Sequence, residues 1–243
     1  MLDVVGAYNK YLQNEQKIKT AERQVQSDGR FSASSAGMCV KKLWFAKNHF
    51  PKSEIDDKTM RLFKLGTLIG EDIEKSMKYL NDKNVYVYTE EYLKDEDLNI
   101  GGSFDLLIVD SDTRKGYLYD YKTCSSYKWR TMFGHLKNRD PNPANNYEFQ
   151  LGTYAMMLNK SKEYCDEVVE MKLIYYNKDN SLTKEKKVDL QYIDFAQKYW
   201  EKAKFIAESD QSPDNQQMVP YYQWECNVKY CPYSDSCNSA YKK

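Results

Sequence analysis

GGSFDLLIVD (101–110), followed by GYLYDYKT (116–123) and then YEFQLGTYA (147–155), is the run from which the fold is read. Apolar and β-branched residues dominate the first two segments, and the polar turn SDTRK (111–115) separates them. This pattern predicts two paired strands. Side chains alternate faces along a strand, so Asp120 and Lys122 share one face and Tyr121 takes the other. In a hairpin, Asp105 joins that face. Two carboxylates and an ammonium on one sheet face are costly to bury unless something uses them. A hard divalent cation with oxygen ligands is the usual user. The blander reading, a salt bridge on an exposed edge strand, suits the run Tyr117–Tyr121 poorly because that run is too apolar.

Working outward, residues 1–27 read as a polar helix ending at Ser27, Asp28 and Gly29. SASS (32–35) offers an N-cap for a helix through about Phe45. Helical spacing of Met60, Phe63, Leu65, Leu68, Ile69, Ile73 and Met77 predicts a helix over 57–80. VYVYTEEY (85–92) alternates as a strand, and LNIGGSFDLLIVD (98–110) reads as one continuous strand. A helix or loop covers 126–139, the stretch from Pro141 to Asn146 breaks the chain, and a helix runs from about Tyr147 to Leu158. EVVEMKLIYYNK (167–178) is an apolar interior strand, LTKEKKVDL (182–190) a more polar one, and 192–208 an amphipathic helix. The tail, 213–243, is rich in Pro, Tyr and Cys and has little core of its own. The order predicts a mixed α/β sandwich with an open sheet.

The 243 residues suffice for one large or two small domains. The formal net charge is zero, so no global field draws the chain to nucleic acid or membrane. The local distribution differs: between Arg114 and Arg139 there are seven Lys or Arg and one acid, Asp120. A basic stretch around a carboxylate cluster suits a polyanion path. Lys128 and Arg130 are its candidate phosphate contacts, and Tyr127, Trp129, Phe133 and Tyr147 interleave with it as stacking candidates. No apolar run approaches membrane-spanning length and no signal pattern opens the chain, so a cytoplasmic protein is expected.

In order and spacing these motifs resemble the PD-(D/E)xK nuclease superfamily, most closely its RecB-like exonuclease branch, which includes the CRISPR-adaptation (Cas-four type) nucleases and phage relatives. The resemblance rests on GGSFD (Asp105), YDYKT (Asp120 and Lys122) and the Q-x-x-x-Y of QLGTY (Gln150 and Tyr154), and covers roughly residues 30–240. It implies a restriction-endonuclease-like mixed sheet flanked by helices. It also implies Mg2+ or Mn2+ held by Asp105 and Asp120 with the Tyr121 backbone carbonyl, and Lys122 as the catalytic cation. Gln150 and Tyr154 would contact DNA and orient the lysine. RecB-like chains often carry G-x-x-x-H on the first core helix. GTLIGED (66–72) has Gly70 where that histidine falls, then Glu71. Either Glu71 replaces the imidazole or the ligand position is empty. Glu71 and Glu74 read equally well as the polar face of an amphipathic helix.

Cys226, Cys231 and Cys237 form C-x4-C-x5-C, and Cys39 lies far upstream. The same resemblance implies a [4Fe–4S] cluster on these four, stapling the tail; four thiolates also suit zinc. Closing so long a loop would be worth about 5 kcal/mol if the disulfide chain-entropy model transfers. The expected organisation is an N-terminal helical extension (1–30) and one nuclease domain (31–243) including the staple. The expected function is a metal-dependent DNA exonuclease acting on single-stranded ends. The alternatives are a structure-selective endonuclease and an inactive iron–sulfur DNA-binding subunit. A homo-oligomer, or a recombination or CRISPR partner protein, would complete the partner list.

Overall fold

Strand β6 (Lys115–Cys124) is the spine of the computed structural model, ten residues long and paired on both sides. The model describes residues 2–80, 84–140, 143–210, 222–227 and 230–237, apart from the side chains of 78, 136 and 223. The chain divides into two compact units. One takes in Ser32–Gly37 and Asp72–Lys204, the other Met1–Phe31, Met38–Glu71 and Phe205–Lys243.

In the first of these, the five-stranded sheet runs β2-β5-β6-β7-β8, with β2 at Val85–Thr89, β5 at Leu106–Asp110, β7 at Glu167–Asn177 and β8 at Thr183–Val188. All pairs are antiparallel except β6 with β7. A parallel pair needs a crossover. Here α4 (Ser126–Phe133) and α5 (Asn146–Ser161) supply it. The apolar strand β7 is interior, as its sequence predicts, and the lysine-rich β8 forms one edge, where charge discourages further pairing.

Along β6, Leu118, Asp120 and Cys124 are buried, while Tyr117, Tyr119 and Tyr121 on the other face are half-buried. Asp120 therefore occupies a core position. Helix α5 is buried along nearly its whole length, from Glu148 to Leu158. Helix α6 (Gln191–Ala207) explains why: Trp200 donates its indole N–H to Thr153 Oγ1 at 2.9 Å, and a Cβ at Gly152 would collide with the Tyr192 carbonyl.

Two predicted strands break where the sequence reads them as continuous. The segment 85–92 divides into β2 and β3 (Tyr92–Asp95), and 98–110 into β4 (Ile100–Ser103) and β5. Strands β3 and β4 pair with each other in a separate sheet. The two-stranded ribbon thus turns a corner, with Glu90–Glu91 opposite Phe104–Asp105. Glu90 N–H donates to the Asp105 carbonyl (3.3 Å) and Phe104 N–H to that of Glu91 (3.2 Å). Glu90 takes a left-handed φ of 53° to make the bend, and Phe104 is wholly buried inside it.

The second unit holds α1 (Val4–Ser27), α2 (Val40–Lys47) and the first fifteen residues of α3 (Asp57–Ser76). Asn9 and Gln13 of α1 donate to the Asp57 carboxylate, and Arg61 donates to Asn9. SASS does not cap α2. Ser32 and Ser34 hydrogen-bond to each other (2.8 Å), a 3-10 turn follows at Ala33–Ser35, and Cys39 is the N-cap residue, with no side-chain bond. Local hydroxyl pairing has won over capping. Two predicted segments fall in part outside the described residues: Pro141–Asn142 of the breaker, and 213–221, 228–229 and 238–243 of the tail. Among the described residues, no helix is long and apolar enough to cross a membrane.

Candidate active site

The corner decides where the acids meet. Asp105 stands one residue before β5, and continuing the register Leu106↔Tyr119 brings it opposite Asp120. Its carboxylate turns toward β6 and accepts the Tyr121 backbone N–H at 2.6 Å. Lys122 Nζ lies 2.5 Å from Asp120 Oδ2 and 4.9 Å from the centre of the Tyr147 ring. The hairpin reading of Asp105, Asp120 and Lys122 thus corresponds to an actual cluster.

Its electrostatics are those of charge out of water. Asp120 is 0% exposed, and burial pushes its carboxyl up to about 7, against the pull of Lys122 and with a further push from Asp105. Asp105 is raised too, by burial first, with Lys122 and the Tyr121 N–H opposing and Glu74 adding to it. Burial works to lower Lys122, and the two aspartates more than offset it. Lys122 is hydrogen-bonded and ion-paired to Asp120 through Oδ2, while Oδ1 accepts no hydrogen bond. A buried carboxylate normally collects such bonds. On this one, Oδ1 has none to give up on taking a cation.

Gln150 and Tyr154 lie beneath the cluster. They are 8% and 3% exposed, and Gln150 hydrogen-bonds the Tyr154 hydroxyl. That phenol is raised by burial first, then by Asp120 and Asp105. The glycines of GGSFD give it room: a Cβ at Gly102 would stand 3.0 Å from Tyr154 Oη. Both side chains are buried under the field of the two aspartates. Lys128 and Arg130 sit on α4, half-buried and exposed, beside the exposed Tyr127. Trp129 stacks edge-on against Phe133, Phe133 against Tyr175, and Lys184 caps the Phe133 ring at 4.9 Å.

Two further acids belong to this neighbourhood. Glu74 on α3 accepts the Thr89 hydroxyl (3.0 Å) and bears on Asp105, while Glu90 at the corner bears on Asp120. Glu71 falls in the other unit, three residues earlier on the same helix face. Nothing in a sequence separates two acids so spaced. Glu90 had a faint signal, because Glu90–Glu91 breaks the alternation of VYVYT.

Cys39, Cys226, Cys231 and Cys237 belong to the second unit, and Cys124 and Cys165 to the first. Cys39 N–H donates to Glu225 Oε2 at 2.8 Å, which ties α2 to the residue before Cys226. Burial raises the Cys39 thiol to about 11. Burial also raises Cys231, and Cys237 and Cys226 are close enough to add to that. Trp44, Phe45, Phe50 and Tyr233 pack around Cys231 and Cys237. The four thiols share a neighbourhood, yet among the described residues no three Cys, His, Asp or Glu side chains converge tightly enough to hold a metal ion. That geometry does not fit a four-thiolate cluster. It does not weigh against the acid site, because Mg2+ keeps several waters and is commonly bound through only one or two carboxylates.

The profile of the PD-(D/E)XK nuclease superfamily matches residues 12–238, and the chain belongs to that superfamily. The mixed sheet flanked by helices is the corresponding restriction-endonuclease-like fold. No curated protein matches the chain. Among solved structures it resembles SSO0001, at 16% identity over 86% of each chain with a TM-score of 0.53. It also matches LHK-Exo in complex with dAMP, at 15% identity over 77% of this chain and 92% of that one, with a TM-score of 0.44. The likeness to SSO0001 is one of fold.

Proposed function

We propose that this protein is a divalent-metal-dependent DNA exonuclease that hydrolyses phosphodiester bonds from single-stranded ends. The observation that carries the reading is Asp120: wholly buried, paired with Lys122 through Oδ2, and with no hydrogen bond on Oδ1. Asp105 and Asp120, with the Tyr121 carbonyl and an acid of α3, would hold Mg2+ or Mn2+. Glu74 supports that last role better than Glu71, since its charge already bears on Asp105. Such a cation would lower the pKa of water and offset charge on the scissile phosphate.

The chain's own residues divide the remaining work. Lys122, held charged by two aspartates, donates to the attacking water or to a phosphate oxygen. The Tyr121 N–H fixes the Asp105 carboxylate, and Gln150 with Tyr154 supports Asp120 from below. Lys128 and Arg130 would take backbone phosphates, with Tyr127 exposed beside them for a base. Preference for single strands and for ends rests on that exposed aromatic and basic surface and on the resemblance of the motifs.

The iron–sulfur staple is a separate proposal. It rests on the shared neighbourhood of Cys39, Cys226, Cys231 and Cys237 and on the order of one upstream and three C-terminal cysteines; the four residues between Cys226 and Cys231 depart from the two usual in the family, and the thiols must draw together. Anaerobically purified protein would then carry iron and visible colour, whereas a zinc site would be colourless.

The test is cleavage of end-labelled single-stranded and duplex DNA with Mg2+ or Mn2+, against Lys122→Ala. Stepwise mononucleotide release that needs both metal and Lys122 supports the exonuclease. Internal products assign an endonuclease instead. DNA binding without cleavage would leave a binding subunit.

A further inference from the structure

Tyr147 is held in place where α5 begins. Asn145, the N-cap residue, donates its side-chain amide to the Tyr192 hydroxyl at 2.9 Å, which fastens the turn to α6. On the other side of Tyr147, the Glu148 carboxylate pairs with Lys186 of β8 at 2.5 Å. The backbone at 147 is thus tied to a neighbouring element before and after it. Tyr147, Gln150 and Tyr154 fall at i, i+3 and i+7, on one stripe of the helix. The Q-x-x-x-Y pair is therefore extended by one turn, to an aromatic ring.

That ring covers Lys122. Nζ stands over it, 4.9 Å from its centre, and 2.5 Å from Asp120 Oδ2. An ammonium within about 6 Å of a ring centre is drawn to the ring face, and more strongly when it is out of water. The Lys122 side chain is 16% exposed. A lysine carries its charge on a flexible four-carbon stem with three rotatable donors. One carboxylate fixes one side of such a group and lets the rest swing. A ring on a second side removes much of that freedom. Unlike a second acid, it adds no negative charge to repel an incoming phosphate.

We propose that Tyr147 is a positioning residue for Lys122. Its ring and Asp120 Oδ2 hold the ammonium from two sides, and the remaining side is left to the attacking water or to a phosphate oxygen. The inference rests on the metal-dependent nuclease reading above and goes beyond it. Tyr147, one of the aromatics whose placement among basic residues suits base stacking, is taken up by Lys122 instead.

The experiment measures kcat and KM for cleavage of end-labelled single-stranded DNA by the full chain as wild type, Tyr147→Phe and Tyr147→Leu, with melting temperatures. In the metal-free proteins, the NMR signals of the Lys122 methylene next to Nζ are also recorded, assigned through Lys122→Arg. Tyr147→Leu should lower kcat by about tenfold with KM for DNA unchanged, whereas Tyr147→Phe, which keeps the ring, should keep wild-type kcat. The ring current should shift the Lys122 signals upfield in wild type and Tyr147→Phe, and Tyr147→Leu should return them to the ordinary lysine position. A raised KM with kcat kept in Tyr147→Leu would make Tyr147 a DNA contact and overturn the proposal. Equal losses in both variants would move the role to the hydroxyl and overturn it as well. A Tyr147→Leu chain that melts lower but keeps its kcat per folded molecule would make Tyr147 a structural residue. Unshifted Lys122 signals in the wild type would overturn the inference whatever the activity. Shifted signals without cleavage that needs metal and Lys122 would instead overturn the nuclease reading, and this inference with it.

Discussion

The acid corner and the cysteine-bearing unit both bury groups that can bind metal, and they hold them differently. Asp120 and Lys122 are two residues apart on an interior strand, so register alone puts them on one face, and Asp105 arrives through the adjacent strand. Cys39 is the N-cap residue of an eight-residue helix, and Cys226 ends a four-residue 3-10 turn. Positions on paired strands are fixed within a fraction of an ångström by the ladder, and positions on short turns are not. The first region is charged and preorganised. The second is a set of thiols, two of them packed among aromatic rings, with burial raising Cys39 and Cys231.

The largest expected effect breaks the two regions apart. Lys122→Ala should lower cleavage by about 10²–10³-fold, the usual loss for one preorganised charge, while the melting of the cysteine unit stays unchanged. Equal damage to both would mean that the two do not act separately. Next, Phe45→Ala removes a ring that packs against Phe50 at 4.8 Å and Tyr233 at 5.3 Å. It should cost about 3–5 kcal/mol of stability, read by denaturant melting, with cleavage retained by the folded fraction.

Acidity gives an effect of intermediate size. Burial raises Asp120 in the fold. Between its ordinary and its raised pKa, the folded chain holds a proton that the unfolded chain has released. Stability in EDTA therefore falls with rising pH, by about 1.4 kcal/mol per unit for one such group. Asp120→Asn lacks this loss, so its stability relative to wild type should improve from weakly acid to neutral pH. A difference that stays flat across that range would mean that Asp120 is ionised throughout.

The smallest effect probes the support beneath the site. Gly102→Ala would push its Cβ against Tyr154 Oη and against Ala33 Cβ, at 3.0 and 3.1 Å. Cleavage should drop several-fold while stability changes by about 1 kcal/mol or less, since the neighbours need give way only a few tenths of an ångström. Unchanged kcat would remove Tyr154 from the supporting role.

How much could be read beforehand follows the same division. Period-two alternation made Asp120, Lys122 and the burial of their face legible, and helical spacing did the same for α5 and α6. The corner was not legible. Its turning residues are Glu90, Glu91, Phe104 and Asp105, of which only Asp105 is a common turn former, and the left-handed Glu90 is set by tertiary context. Glu71 and Glu74 are equivalent to any periodicity argument, and only the Thr89 hydroxyl and the field on Asp105 separate them. The start of α2 escaped because Ser32 and Ser34 bond to each other. The depth of Gln150 and Tyr154 escaped because α5 is buried on all sides by the sheet and α6, which no single-helix pattern reveals.

The proposed function stands on the buried Asp120, with Lys122 on one oxygen and no hydrogen bond on the other, being a cation site. The most direct measurement is the Mn2+-dependent rise in melting temperature of the wild type against Asp120→Asn and Lys122→Ala. The account predicts a concentration-dependent rise in the wild type, its retention in Lys122→Ala, where the carboxylates remain, and its loss in Asp120→Asn. A rise of equal size in Asp120→Asn would contradict the claim.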